Sequence, residues 1–106
     1  MITQNATRSF PSAQAATVTI FVPGLLRDRC YGASELTMSA ASVRAAFEEL
    51  ERRYPSLYGC VCDETGAVRR HVNIFVNEFN TRDGDGLDTA LLAGDVITIL
   101  PAVSGG

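Results

Sequence analysis

β-Branched apolar residues recur at every second position in two stretches of the chain, and each stretch predicts a strand with one buried face. The first stretch covers residues 17–22 and the second covers residues 69–77. Successive side chains of a strand point to opposite faces, so a period of two places these residues on one side. They are Val18, Ile20 and Val22 in the first stretch and Val72, Ile74 and Val76 in the second. A short strand over 35–39 is predicted to form a hairpin with the first.

Residues 42–54 carry a helical repeat instead. Apolar side chains three and four positions apart predict a buried helix face made of Val43, Ala46, Phe47, Leu50 and Tyr54. Ser42 can cap the first turn through its hydroxyl. Pro55 is predicted to end the helix, because the residue before a proline avoids helical geometry.

The segments between these elements are rich in turn-forming residues and are predicted to be connections. They are 25–33 as a loop, 56–68 as a loop with a turn at 63–66, 78–80 as a tight turn and 81–94 as an irregular return. Strands on both sides of one helix predict an α+β fold, in which a mixed sheet carries one main helix across one face.

The last eleven residues begin as a strand and end in small side chains. Residues 96–100 are apolar and mostly β-branched, which predicts a buried interior strand. Pro101 lacks an amide hydrogen, so the chain is predicted to leave the sheet there. From Pro101 to Gly106 there is no charged or bulky polar side chain. Six extended residues can span roughly 20 Å.

Two glycines, Gly105 and Gly106, stand at the carboxyl end of the sequence. Glycine has no Cβ, so a backbone made of it can pass through a narrow channel. A terminal carboxylate, with a pKa of about 3.5, is an anion and a poor electrophile at neutral pH. A nucleotide-dependent enzyme would have to convert it to an acyl-adenylate before a sulfur or an amine could attack.

The stretch from Gly94 and Asp95 through the apolar strand, Pro101 and the terminal Gly-Gly resembles the end of the MoaD/ThiS-type sulfur-carrier proteins. The resemblance extends over about residues 17–106 and is greatest to the longer carriers that serve cysteine or natural-product synthesis. It implies a ubiquitin-like β-grasp domain over residues 17–100. It also implies a mobile tail over 101–106, and residues 1–16 are predicted to form a flexible arm.

The resemblance implies a mechanism as well. An ATP-dependent enzyme of the ubiquitin-activating type would adenylate the Gly106 carboxylate, and a sulfur donor would convert it to a thiocarboxylate. That group would deliver sulfur to an enzyme of cysteine, natural-product or molybdopterin synthesis. The residues that would enter the partners' active sites are Pro101, Ala102, Val103, Ser104 and Gly105. The chain would be a cosubstrate without a bound cofactor, since the activating enzyme uses the ATP.

Two alternatives stay open at this stage. The same adenylate could be attacked by an amine, which would make the chain a modifier joined through Gly106 to lysines of other proteins. A plain interaction domain with an idle Gly-Gly end is the other. If the apolar strand residues face the helix, Phe21 and Phe75 point to the opposite face of the sheet. They are predicted to contact a partner there, unless a loop covers them.

The amino-acid composition excludes several classes of protein. The net charge of −3 argues against a nucleic-acid-binding protein, because such proteins normally carry a basic face. The sequence has no apolar run long enough to span a membrane. All nine basic residues are arginine, so no side chain of the chain could accept another copy through an isopeptide bond. Three cysteines cannot all pair, and their number predicts a reducing, cytoplasmic location.

The cysteines raise the question of a metal site. Cys30, Cys60, Cys62 and His71 have the composition of a three-cysteine, one-histidine zinc site. Paired zinc-binding cysteines are normally two to four residues apart, whereas one residue separates Cys60 from Cys62. Free thiols without a metal are therefore predicted.

Overall fold

Five strands form one mixed sheet in the order β2-β1-β5-β3-β4 in the computed structural model, which describes residues 15–102. The strands are β1 (Ala16–Phe21), β2 (Glu35–Ala40), β3 (Val72–Val76), β4 (Phe79–Asn80) and β5 (Val96–Pro101). The helices are α1 (Val43–Arg53) and α2 (Pro55–Val61), with 3-10 helices at Gly24–Cys30, Thr81–Asp83 and Gly86–Asp88. The predictions for residues 1–14 and 103–106 lie outside the described residues.

The final strand occupies the centre of the sheet. β5 runs parallel to β1 and antiparallel to β3, while β1 and β2 form the predicted antiparallel hairpin. A parallel pair cannot be joined by a tight turn, so the chain between β1 and β5 must cross over outside the sheet. This is the mixed α+β sheet of the β-grasp fold, as predicted.

The alternating apolar residues and the main helix form the core. Val18, Ile20, Val22, Val72, Ile74 and Val76 are all buried, together with Val43, Ala46, Phe47 and Leu50 of α1. The Ser42 hydroxyl accepts a hydrogen bond from the Ala45 amide at 3.1 Å, so the predicted cap is confirmed. It satisfies one of the amides that the first helical turn leaves without a partner.

The predicted loop at 56–68 was wrong in its first half, where α2 begins directly after α1. Pro55 is the first residue of α2, a position where a missing amide hydrogen has no cost. Leu57 and Val61, four residues apart, are both fully buried and hold this short helix on the core. The turn at 63–66 is confirmed, since the Asp63 carboxylate accepts from the Thr65 amide at 2.8 Å.

The loop predicted at 25–33 is replaced over Gly24–Cys30 by a 3-10 helix. The tight turn expected at 78–80 lies one residue earlier, because Phe79 and Asn80 pair with β3 as β4. The return over 81–94 is largely irregular, as predicted, apart from its two short 3-10 helices.

The last strand differs from its prediction in two respects. Only Ile97 and Ile99 are buried, whereas Val96 and Leu100 are 37% and 46% exposed, so β5 is half-buried. The strand also continues through Pro101, which pairs with Val72. Amide hydrogens alternate in direction along a strand. Since the Ala102 amide points to β3, the missing amide hydrogen of Pro101 would have pointed to the other side, where β1 has already ended.

Candidate functional site

The root of the tail lies at the end of the central strand. The Ala102 amide donates to the His71 carbonyl oxygen at 2.6 Å, and Ala102 itself is exposed. Pro101 is half-buried beside it. The remaining residues predicted to enter the partners' active sites, which are Val103, Ser104, Gly105 and Gly106, lie outside the described residues.

The open face of the sheet carries the two phenylalanines singled out in the sequence. Thr98 of β5 pairs with Phe21 on one side and with Phe75 on the other. The three residues form one row across the sheet, which we call the phenylalanine row. Phe21 is 38% exposed and Phe75 is half-buried. Their role as a partner surface stays a prediction.

Sequence reasoning missed two further apolar residues of this face, Val96 and Leu100. Both are exposed on β5, on the opposite side from Ile97 and Ile99. The signal was present, because a strand with only one covered face must alternate even when all its residues are apolar. Together with Phe21 they make the open face more apolar than the two phenylalanines alone.

A cation lies beside Phe21, at the edge of this open face. The Arg27 guanidinium carbon is 5.8 Å from the centre of the Phe21 ring, and Arg27 Nε donates to the Val22 carbonyl oxygen at 2.9 Å. Such a cation–π contact at an exposed site contributes about 0.5–1 kcal/mol. It holds the positive charge at the edge of the open face, close to where β1 ends.

An open groove of about 410 Å³ surrounds the root of the tail, and we call it the tail-root groove. Its apolar wall consists of Leu25, Leu26, Pro101 and Ala102, and its polar wall consists of Cys60, Arg69 and His71. These residues come from four separate segments, which is why sequence reasoning did not bring them together. Of these residues, only Cys60 and His71 were grouped by sequence reasoning, as members of a candidate zinc site.

The three cysteines are free thiols in three different environments. Burial raises the pKa of the Cys62 thiol to about 11, and burial also raises the pKa of Cys30, whose Sγ donates to the Ala33 carbonyl oxygen at 3.4 Å. Cys60 is half-buried and faces the tail-root groove. Within residues 15–102, no three His, Cys, Asp or Glu side chains are grouped closely enough to hold a metal ion.

Comparison with known proteins decides the family. The model of the ThiS family matches residues 20–106, which is most of the chain. The chain belongs to the ThiS family. The match includes the central strand β5, the strand β3 and the tail, and it begins at Ile20 near the end of β1.

Individual relatives agree with this assignment. The sulfur carrier protein CysO of Mycobacterium tuberculosis is 37% identical over 91 residues, which are 84% of this chain and 98% of that protein. A chain of the Amycolatopsis orientalis BexX/CysO complex superposes with a TM-score of 0.77 at 31% identity, over 84% of this chain and 99% of that one. The small archaeal modifier protein 1 of Methanosarcina acetivorans gives a TM-score of 0.75 at 33% identity, over 89% and 100%.

This member of the ThiS family is therefore a ubiquitin-like sulfur carrier with the β-grasp fold. The relative CysO is named a sulfur carrier protein, and the expectation that this chain is not an enzyme stays a prediction. In residues 15–102, no helix has the length and apolar character needed to cross a membrane.

Proposed function

We propose that this carrier moves sulfur as a thiocarboxylate on Gly106. A carboxylate oxygen of Gly106 attacks the α-phosphorus of ATP on an activating enzyme, and pyrophosphate leaves. Hydrosulfide supplied by a donor then attacks the acyl carbon, and AMP leaves with the oxygen that had attacked the phosphorus, so that one carboxylate oxygen is replaced by sulfur. The observation that carries the proposal is the position of Ala102, which is exposed at the end of the central strand with four small residues still to follow.

The dimensions of the tail support this chemistry. The four residues after Ala102 can extend by at most roughly 14 Å, enough to place the terminal carboxylate inside an active site while the folded domain stays outside. None of them is larger than valine, and the last two have no side chain. The domain therefore supplies recognition, and the tail supplies the reacting group.

Two kinds of partner enzyme are expected for a carrier of this kind. An ATP-dependent activating enzyme would hold the nucleotide, and a biosynthetic enzyme would take the sulfur. We propose the row around Phe21 and Phe75, extended by Leu100, as the surface that both partners contact. Cysteine or natural-product synthesis is the favoured destination, because the sequence resembles the longer carriers that serve these pathways. A reducing, cytoplasmic setting suits a reactive thiocarboxylate.

Intact-mass measurement tests the proposal. The carrier is incubated with ATP, the activating enzyme and a sulfur source, and we expect the mass of the chain to change by one oxygen exchanged for one sulfur. A variant without Gly106 is the matched control, and we expect it to remain unmodified with an unchanged thermal unfolding midpoint. An unmodified wild-type chain would contradict the proposal, and so would conversion of the shortened variant.

The similarity to an archaeal modifier protein favours conjugation as the second candidate function. The same adenylate would then be attacked by a lysine amine of another protein. Because the chain has no lysine, its own side chains cannot compete as acceptors. Higher-mass conjugates instead of the sulfur exchange would support this alternative in the same experiment.

A further inference from the structure

Positive charge is concentrated around the tail-root groove. The segments that form this end of the molecule are 24–30, 55–61, 69–71 and 101–102. They contain Arg27, Arg29, Arg69 and Arg70, but only one carboxylate, Asp28. The whole chain carries a net charge of −3, so this end has the opposite sign from the molecule as a whole.

The arginines at this end form no ion pair within the described part of the chain, although the Asp63 carboxylate lies close enough to Arg69 for their charges to interact. The ion pairs found among residues 15–102 use Arg44, Arg52 and Arg53. Arg29 instead donates to the Ser56 hydroxyl at 3.2 Å, and Arg69 Nε donates to the Gly59 carbonyl oxygen at 3.0 Å. Like charges held close together raise the local potential and attract an anion from outside.

The polar wall of the groove is fixed in place by a neighbouring arginine. Arg82 Nη2 donates to the carbonyl oxygens of Arg69 at 3.0 Å, Arg70 at 3.3 Å and Val72 at 2.6 Å. The Ala102 amide holds the same segment through the His71 carbonyl. A wall that is already ordered loses little conformational entropy when a partner binds.

The apolar wall is also open to a partner. Leu25 is 75% exposed, and it stands beside Leu26 on the 3-10 helix that follows β1. Arg27 comes next on this helix and contacts Phe21, so the helix that carries Leu25 and Leu26 also borders the open face of the sheet. A partner that covers the phenylalanine row therefore lies close to the apolar wall of the groove.

The short tail forces a partner's surface against this groove. Whatever enzyme takes the Gly106 carboxylate must bring the mouth of its active site within roughly 14 Å of Ala102. Electrostatic interactions in physiological salt reach about 8 Å before they are screened. The charges beside the groove therefore act on the rim of that mouth wherever the rim comes within about 8 Å of them.

We propose that the tail-root groove recognises an acidic rim around the active-site mouth of the activating enzyme. Carboxylates of the rim would pair with Arg69 and Arg70, and an apolar side chain beside them would pack on Leu25 and Leu26. This inference rests on the proposed function, since it requires that Gly106 enters that enzyme. The groove would add a charge-selective contact to the apolar contact that we propose for the phenylalanine row.

Charge reversal tests the proposal. In the double variant Arg69→Glu/Arg70→Glu, we expect the KM for the carrier in ATP-dependent adenylation to rise about tenfold or more, while kcat stays unchanged. The double variant Arg44→Glu/Arg52→Glu has the same net charge but is altered on α1, and we expect a KM close to that of the wild type. Raising the salt from about 0.05 M to about 0.5 M should reduce the difference between the two variants, because it shortens the screening length.

The outcomes separate this proposal from the function on which it rests. If the wild-type carrier is adenylated and both double variants have the same KM, the groove proposal is overturned and the carrier mechanism stands. A difference that does not respond to salt also overturns it, since the contact would then not be ionic. If the wild-type carrier is never adenylated, the proposed function fails and the groove proposal fails with it.

Cys60 provides a second test that needs no substitution. It is the cysteine facing the groove, whereas Cys30 and Cys62 are buried, so alkylation should reach it first. Iodoacetate adds a carboxylate at Cys60, and iodoacetamide adds a neutral amide of nearly the same size. We expect the carboxylate adduct to raise the KM severalfold more than the amide adduct. Equal effects would mean that the groove does not discriminate by charge.

Discussion

The Ala102 amide donates to the His71 carbonyl oxygen, and this bond is the last that joins the described tail residues to the sheet. It lies one residue beyond Pro101, in register with the start of β3. In the proposed function, the reach of the tail is therefore counted from Ala102. Because Ala102 follows a central strand, the domain can hold the root of the tail rigidly while a partner works on its end.

Phe47 of α1 is 3% exposed and packs in the core, so Phe47→Ala should lower the free energy of unfolding by about 3–5 kcal/mol. The cost combines lost apolar burial with the cavity that remains. Urea denaturation measures it, and Glu48→Ala on the exposed side of the same helix should change stability by less than about 0.5 kcal/mol. A similar small effect at both positions would contradict the assigned helix face.

Phe21 is 38% exposed, so Phe21→Ala should leave the thermal midpoint almost unchanged. If the phenylalanine row binds the activating enzyme, the same variant should lower kcat/KM for adenylation by about tenfold or more, as a truncated interface aromatic does. Thr37→Ala, on the outer strand β2 of the same face, is the matched control. A large loss of thermal stability with unchanged kcat/KM would make Phe21 a structural residue.

Cys62 should make stability depend on alkaline pH. Its pKa is raised by burial to about 11 in the folded chain, against about 8.5 for an exposed cysteine. Between these values the folded state retains a proton that the unfolded state loses, so the free energy of unfolding falls as the pH rises from about 8.5 to about 11. Denaturation of wild type and Cys62→Ala across this range should show a flatter profile for the variant. Parallel profiles would mean that Cys62 is not the group responsible.

Cysteine reactivity provides a simpler prediction. At a pH near 8, a thiol reagent should modify Cys60 first, because Cys60 is only half-buried, whereas Cys30 and Cys62 are buried and should react only as the protein opens. Cys60→Ser should abolish the fast phase. A fast phase that survives this change would show that one of the buried thiols is accessible.

The elements with long, regular patterns could be predicted from sequence, and the short ones could not. The alternation of Val72, Ile74 and Val76 and the repeat of α1 each span several side chains that share one buried face. α2 has only Leu57 and Val61 as a buried pair, too few for a period to be recognised. Pro55 was correctly read as the end of α1, but the same residue also begins α2.

The candidate site likewise has one part that the sequence predicts and one part that it does not. The Gly-Gly end and its strand carry a sequence signature, so the family could be recognised before any coordinates were considered. The tail-root groove has no such signature, because Leu25, Cys60, Arg69 and Pro101 meet only when the sheet has formed. The exposure of Leu100 likewise depends on which face of β5 the helices cover.

Localisation of the sulfur tests the central claim most directly. The carrier, loaded in the presence of ATP, activating enzyme and sulfur source, is fragmented by tandem mass spectrometry. We predict that the sulfur lies on the C-terminal residue, Gly106, in exchange for one oxygen. Sulfur found on Cys60 as a persulfide, with an unmodified Gly106 carboxylate, would contradict the account.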